Sequence, residues 1–130
     1  MILLDTHIWV NWIIYGEASL SPNIVDAMQQ TDQLAVSAIS CFEVAMLTHK
    51  GRLQLPLEID EWLEEALGNS GVTALPVNCD IAKRSVKLAE IHRDPADRII
   101  IATALVHEIK LASLDSVFPN YPEISDDLLN

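Results

Sequence analysis

The chain alternates between short apolar runs and longer segments in which apolar residues recur with helical spacing. Four short runs, each bounded by turn residues, are typical of buried strands and predict strands over residues 1–4, 34–37, 72–75 and 111–113. The longer segments carry helix start and stop signals, and they predict helices over residues 7–15, 22–30, 40–50, 58–67, 80–92 and 94–108.

Strands that are separated by helices are typical of an α/β fold, in which helices cover both faces of a sheet. We therefore predict a four-stranded, mainly parallel sheet flanked by helices. No repeat and no shift in composition divides the chain, and 130 residues suit one domain. We predict a single domain over residues 1–130.

Four acidic residues are predicted to meet at one edge of this sheet. Ligands of a parallel sheet bind beyond the carboxyl ends of its strands, and Asp5 directly follows the first strand while Asp115 lies just past the fourth. Glu43 lies in the first turn of the helix that follows the second strand. Asp97 lies in the first turn of the helix that leads back into the fourth strand, so it starts at the same edge.

Three of these acids, and the nearby Asp94, also have a purely structural interpretation. Asp5 ends a strand, where an aspartate commonly begins a turn. Ser40 and Glu43 have the spacing of a capping box, in which the serine caps the helix and the glutamate reaches back. Asp94 precedes a proline and fits a helix cap, and Asp97 favours the positive end of the helix. We prefer a shared site because unrelated caps have no reason to meet at one edge.

Carboxylates gathered at one edge repel one another unless their pKa values rise or a cation binds between them. Mg²⁺ and Mn²⁺ are hard ions that prefer carboxylate and water oxygens. Such an ion lowers the pKa of water, orients a phosphate and neutralises developing charge, which suits phosphodiester hydrolysis. The acids therefore predict metal-dependent hydrolysis, with one ion or two.

The charge of the chain argues against this interpretation. Eight Lys and Arg against nineteen Asp and Glu give −11, whereas proteins that bind nucleic acids are usually basic. Metal ions or a basic partner would have to supply positive charge. No apolar run approaches the roughly 20 residues of a membrane helix, and no signal peptide is visible. We expect a cytoplasmic protein without membrane contact, in which Cys41 and Cys79 are reduced.

Four segments together resemble the PIN-domain ribonucleases, in particular the VapC-type toxins of toxin–antitoxin pairs. The segments are ILLDTH at residues 2–7, SAISCFE at 37–43, HRDPADRIIIATA at 92–104 and LASLD at 111–115. Their order and separation match over nearly the whole chain. One departure is that Ser116 follows Asp115 where a further acid is often found nearby, which leaves the number of metal ions open.

The resemblance implies a fold, an activity and partners. The implied fold is the PIN-like three-layer sandwich, and the implied activity is endonucleolytic cleavage of RNA. The matching acids Asp5, Glu43, Asp97 and Asp115 would be catalytic and position the attacking water, with Asp5 and Asp97 as direct ligands of Mg²⁺ or Mn²⁺. The implied partners are an RNA substrate, a cognate antitoxin protein and a second copy of the chain in a homodimer.

Several neighbours of the acids have two interpretations each. Thr6 and Ser113 orient the site carboxylates, or they are ordinary turn hydroxyls. Arg98 pairs with a carboxylate or an RNA phosphate, or it forms a salt bridge within the fold. Asp94 caps its helix or supports the metal site. His7 packs at a helix start or takes part in catalysis.

Two surface features are equally open. Lys83, Arg84 and Lys87 form a small basic patch, which is either a solvated helix face or a contact for RNA. Trp62, on its own helix, is a candidate for contact with an antitoxin.

Three other functions compete with the ribonuclease. A catalytically weak, PIN-fold protein-binding module has no reason to gather repelling charges. A DNA-directed nuclease uses the same site chemistry, so the acids alone do not exclude it. A phosphatase with an aspartate nucleophile typically needs a second acid two positions after the first, where this chain has His7 after Asp5.

Overall fold

A parallel sheet of five strands lies at the centre of the computed structural model, which describes residues 1–91 and 93–130. Its strand order is β3-β2-β1-β4-β5, and every neighbouring pair is parallel. The strands are β1 (Ile2–Leu4), β2 (Leu34–Ser37), β3 (Val72–Leu75), β4 (Lys110–Ala112) and β5 (Leu128–Leu129). The α/β fold with a parallel sheet is confirmed.

Six α-helices connect the strands within the described residues. They are α1 (Thr6–Tyr15), α2 (Pro22–Gln30), α3 (Ala38–His49), α4 (Ile59–Ala66), α5 (Cys79–Lys87) and α6 (Pro95–His107). Most begin at a side chain that accepts a hydrogen bond from the first turn; Ser21 does so for α2, directly before Pro22. None of the helices described is long and apolar enough to cross a membrane.

Helices cover both faces of the sheet, which gives the three layers. The pleat of β1 directs Ile2 and Leu4 to one face and Leu3 to the other. The first face packs against α1, α2, α3 and α4, with Trp9 and Trp62 fully buried there. The second face packs against α6 and the residues that follow β4. Both faces of the central strand β1 are therefore shielded from solvent.

The fifth strand was not predicted. β5 extends the sheet beside β4, with Leu111 opposite Leu128 and Ala112 opposite Leu129. Two residues are too few to show an alternating pattern, and they follow an acidic, proline-containing tail. Its existence depends on the free edge of β4, which only the folded sheet supplies.

The predicted start of α3 is wrong. Ser37, the last residue of β2, is the N-cap, and its hydroxyl accepts the Ile39 N–H at 3.2 Å. Ser40 is fully buried inside the helix, so the capping box with Glu43 does not form. Glu43 therefore lies in the second turn, and its carboxylate does not cap the helix.

The predicted end of α5 is also wrong, because the helix stops at Lys87 rather than near residue 92. His92 itself lies outside the described residues. The Arg98 guanidinium donates to the carbonyls of Leu88 and Ala89, each at 2.9 Å, and Glu123 accepts the Ala89 N–H at 2.9 Å. These tertiary hydrogen bonds replace the helical ones that a longer α5 would have made.

Candidate active site

The strand order places a crevice at the carboxyl end of the central strand. The chain moves from β1 to β2 and β3 on one side, and then returns to β4 on the other side of β1. In parallel sheets, this reversal opens a site between the two diverging connections. A cavity of about 200 Å³ lies there, lined by Asp5, His7, Ile8, Asn11, Leu114 and Asp115.

Asp5 is held rigidly at this point. Its side chain is only 4% exposed and is the N-cap of α1, with Oδ1 accepting the Ile8 N–H at 2.8 Å. Oδ2 accepts a hydrogen bond from the Ser113 hydroxyl. Because the cap fixes one oxygen and Ser113 the other, the carboxylate has one orientation.

Ser113 connects Asp5 with Asp115. While its hydroxyl donates to Asp5, its oxygen accepts the Asp115 N–H at 3.1 Å. The Asp115 side chain in turn accepts the Val117 N–H at 2.9 Å, which closes a local turn. Ser113 is therefore more than a turn hydroxyl, since it bonds a site carboxylate directly.

Glu43 reaches the same edge from α3. Its Oε1 accepts the hydroxyl of Thr6 at 2.5 Å, and Thr6 Oγ1 also lies 2.8 Å from the hydroxyl of the buried Ser40. Thr6 directly follows Asp5, so these contacts hold the start of α3 against the start of α1. Ser40 was assigned only a capping role from the sequence, and its contact with Thr6 was not anticipated.

Asp94 and Asp97 bring a second group of carboxylates to Glu43. One side-chain oxygen from each of Glu43, Asp94 and Asp97 lies within 4.8 Å of the others. Asp94 also caps α6, because its Oδ1 accepts the Ala96 N–H at 2.9 Å. A carboxylate has two oxygens, so the cap and the cluster are compatible. Asp94 can therefore serve both roles that the sequence posed, and its part in metal binding stays a prediction.

The pKa values of Asp5 and Glu43 are both raised, so ionisation of these acids is unfavourable in the folded protein without a cation. Burial raises the pKa of Asp5, and the charge of Asp115 adds to this while the Ser113 and Ile8 hydrogen bonds oppose it. Burial likewise raises the pKa of Glu43, and the charges of Asp94 and Asp5 add to the rise. The two groups of acids therefore interact through Glu43, which senses a carboxylate from each.

His7 lies at the exposed mouth of the cavity, and its charge lowers the pKa of both Asp5 and Glu43. Its part in catalysis stays a prediction.

Arg98 makes several hydrogen bonds at the end of α5. Besides Leu88 and Ala89, its guanidinium contacts the carbonyl of Ser85 at 3.1 Å and stacks 6.0 Å from the ring centre of Tyr121. Because the guanidinium donates to these carbonyls at the end of α5, the structure assigns Arg98 to that junction. It lends no support to a contact with RNA.

The donor set suits a hard divalent cation. Every candidate ligand is a carboxylate oxygen, the type that Mg²⁺ and Mn²⁺ prefer. Within residues 1–91 and 93–130, no Lys or Arg forms an ion pair with Asp5, Glu43 or Asp115. The charge that burial makes costly is therefore left for a cation to balance.

Comparison with known proteins gives this arrangement a family. The model of the PIN domain matches residues 2–124. The chain belongs to the PIN domain family. A relative, Ribonuclease VapC22 of Mycobacterium tuberculosis, is 35% identical over 115 residues, which are 88% of this chain and 86% of the relative. The chain is thus a PIN-domain protein of the VapC type, and the resemblance seen in the sequence is confirmed.

Solved structures share the PIN fold along the whole chain. A toxin–antitoxin complex from Klebsiella pneumoniae matches with a TM-score of 0.65 and 24% identity, covering 100% of this chain and 97% of that one. VapBC2 from Rickettsia felis, bound to a DNA fragment from its promoter, matches with a TM-score of 0.70 and 16% identity, covering 100% of both. At these identities the likeness supports the fold alone.

Proposed function

We propose that this PIN-domain protein is a metal-dependent endoribonuclease that acts as the toxin of a toxin–antitoxin pair. The convergence of carboxylates from four separate parts of the chain at the switch point of the sheet carries the proposal. The ribonuclease name of the 35% identical relative supports the reaction class. The VapC name of that relative and the resemblance of the four sequence segments to VapC-type toxins support the biological role.

We assign the metal to the carboxylate oxygens. Asp5 and Asp97 are proposed as direct ligands of Mg²⁺, which Mn²⁺ can replace, and Asp94 and Asp115 as acids that hold the surrounding water. When bound, the ion would neutralise phosphate charge and lower the pKa of a water molecule. The number of ions is left to titration.

The other residues of the site have two proposed roles, as a general base and as partners that position the carboxylates. Glu43 is the proposed general base for the attacking water, because its carboxylate lies beside those of Asp94 and Asp97, which would hold the ion and its water. Thr6 keeps Glu43 in place by donating to Oε1, and Ser113 does the same for Asp5. Fixed carboxylates hold the water and the phosphate in position, so that their reaction becomes effectively unimolecular.

Cleavage of RNA tests the proposal directly. The purified protein should cut RNA in Mg²⁺ or Mn²⁺, and EDTA should stop the reaction. Asp97→Asn should abolish cleavage, whereas Asp60→Asn, which removes an exposed acid of α4, should leave it intact. Cleavage in EDTA, or full activity of Asp97→Asn, would contradict the carboxylate mechanism. A DNA strand of the same sequence tests the DNA-directed alternative.

We further propose that the antitoxin binds a groove between α1 and α4. The groove has a volume of about 500 Å³ and is mostly apolar, with lining residues Trp12, Ile13, Ile14, Pro56, Leu57, Trp62, Glu65 and Ser70. Trp62 is 1% exposed, and its Nε1 has no acceptor among the described residues.

Growth experiments test the toxin role and this groove together. Expression of the chain should slow growth, and the product of a neighbouring gene should relieve the arrest. Leu57→Glu should prevent relief while leaving RNA cleavage intact, and Val77→Glu, an exposed apolar position outside the groove, is the matched control. A harmless wild type would favour the binding-module function. The homodimer stays a prediction from the resemblance, which light scattering can test.

A further inference from the structure

The positive charge of the chain is concentrated in one short segment. Residues 83–98 hold five of the eight Lys and Arg against three acids, whereas the other residues hold three Lys and Arg against sixteen acids. A chain of net charge −11 repels a polyanion such as RNA. Residues 83–98 reverse this repulsion locally, and the same segment contains Asp94 and Asp97.

Helix α5 presents three of these cations on one side. Lys83, Arg84 and Lys87 are exposed and border the same concavity of about 370 Å³, together with Asp80 and Val106. Lys83 Nζ lies 3.6 Å from Asp80, but the two side chains are 70% and 77% exposed. Such an exposed pair contributes little in water, so it does not keep Lys83 from a phosphate.

Arg98 ties the end of α5 to the candidate active site. Its guanidinium donates to the carbonyls of Val86 at 3.4 Å and Leu88 at 2.9 Å, the residues on either side of Lys87. Arg98 also directly follows Asp97. The end of the helix that carries Lys87 therefore lies beside the turn that carries a site acid.

Arg93 continues the positive charge from α5 towards the acids. It is exposed and borders a second concavity of about 340 Å³, which Val86, Pro95 and one acid, Glu90, also line. Asp94 is the next residue. The cations thus lead from the surface of α5 to the start of α6, where the carboxylate cluster begins.

We propose that a basic strip, formed by Lys83, Arg84, Lys87 and Arg93, binds the phosphate backbone of the RNA substrate and leads it to the carboxylates. The inference rests on the proposed nuclease function and adds the path of the substrate. Charge complementarity selects RNA as the occupant, because the strip ends at the acids that would cut it. The apolar groove between α1 and α4 is the better surface for a protein partner.

Binding of RNA in EDTA isolates the strip from the chemistry. The probe is a fluorescein-labelled, mixed-sequence single-stranded RNA, followed by anisotropy at several salt concentrations. The variant K83Q/R84Q/K87Q should bind at least about tenfold more weakly at low salt, and its salt slope should fall by about 2, since each phosphate contact on single strands contributes about 0.7. The control K50Q/R52Q/K110Q removes the same charge elsewhere and should bind like the wild type.

Two outcomes would contradict the proposal that the basic strip binds RNA. Equal weakening in both triple variants would mean that net charge alone governs binding. Unchanged RNA binding with lost antitoxin binding would mean that the strip serves a protein. All six positions are exposed, so thermal melts should match the wild type. If the triple variant does not fold, K87Q/R93Q makes the same test with the melt as its check.

Failure of the strip and failure of the nuclease are distinguishable. RNA binding that depends on the strip, in a protein that cuts nothing in Mg²⁺ or Mn²⁺, would refute the nuclease and not the strip. If the protein cleaves RNA but K83Q/R84Q/K87Q binds RNA as tightly as the wild type, the strip alone is refuted.

Discussion

The two parts of the carboxylate site are built in different ways. Asp5 is buried, and each of its oxygens accepts a hydrogen bond from the fold. Asp94 and Asp97 lie in the first turn region of α6, where Asp94 is exposed and the helix dipole favours negative charge. Asp5 is therefore fixed in a buried position, whereas Asp94 is exposed and Asp97 half-buried at the start of a helix.

The difference indicates that Asp5 fixes the geometry of the site, whereas Asp94 and Asp97 mainly add negative charge. Burial raises the pKa of Asp5, so the folded protein without a cation resists the charged form. A bound divalent ion would reverse that penalty, and stability would then be gained on binding. We infer that the buried part fixes the geometry of the site, while Asp94 and Asp97 add negative charge at the start of α6.

Among Asp5, Ser113 and Asp94, the largest expected effect comes from the buried Asp5. In Asp5→Asn, the amide oxygen still accepts the Ile8 N–H and the amide nitrogen faces Ser113, so the cap of α1 remains. RNA cleavage in Mg²⁺ should nevertheless fall at least about 100-fold, because the ionised group is lost. Asp126→Asn, in the exposed tail, is the control and should cleave normally. A retained rate would show that the buried acid takes no part in catalysis.

Ser113→Ala should have the next largest effect. The change frees Asp5 Oδ2, and the rate should fall about 10- to 100-fold, as for the loss of an orienting partner. The Ser113 hydrogen bond lowers the pKa of Asp5, so its loss should raise that pKa and shift the acidic limb of the pH–rate profile to higher pH. The exposed Ser116→Ala is the control. A slower enzyme with an unshifted profile would contradict the orienting role.

Asp94 should matter less than Asp5. Asparagine is as good a helix cap as aspartate, so Asp94→Asn should keep α6 and lose about tenfold in rate. Asp94→Ala should lose about 1 kcal/mol of stability to urea as well, because the cap disappears. If Asp94→Asn were as inactive as Asp5→Asn, the proposed division between placement and charge would be wrong.

The smallest effect concerns stability without metal. The pKa of Asp5 is raised in the folded state, so the folded chain binds that proton more tightly than the unfolded chain does. Stability in EDTA should therefore fall as pH rises from about 4 through the raised pKa. Asp5→Asn should flatten this fall, and Mg²⁺ should raise the Tm of the wild type more than that of the variant. Parallel melting curves for both proteins would exclude a charge penalty at Asp5.

Local signals were sufficient for much of the fold. Helices α2, α4 and α6 begin and end within one residue of their predicted bounds, because Ser21-Pro22 and Asp94-Pro95 are strong starts. Errors arose where two local signals compete. Ser37 and Ser40 are both good caps, and the end of β2 decides for Ser37.

The acids of the site were chosen from the sequence, but their partners were not. Arg98 had several acceptable partners, and the carbonyls at the end of α5 proved to be among the actual ones. Asp94 had two roles that are compatible in space. Neither answer was available locally, because each depends on the packing of α5 and α3 against α6.

The sequence by itself determined that acids follow strands and begin helices on one side of a parallel sheet. Connection lengths and strand direction are local properties, and they bring Asp5, Asp97 and Asp115 to a common edge. Tertiary structure decided how buried each acid is and what it bonds. Ser113 and Asp5 are 108 residues apart, and Thr6 and Glu43 are 37 apart. Burial and hydrogen bonding across such separations exist only once the layers have packed, and they set the pKa values on which the chemistry depends.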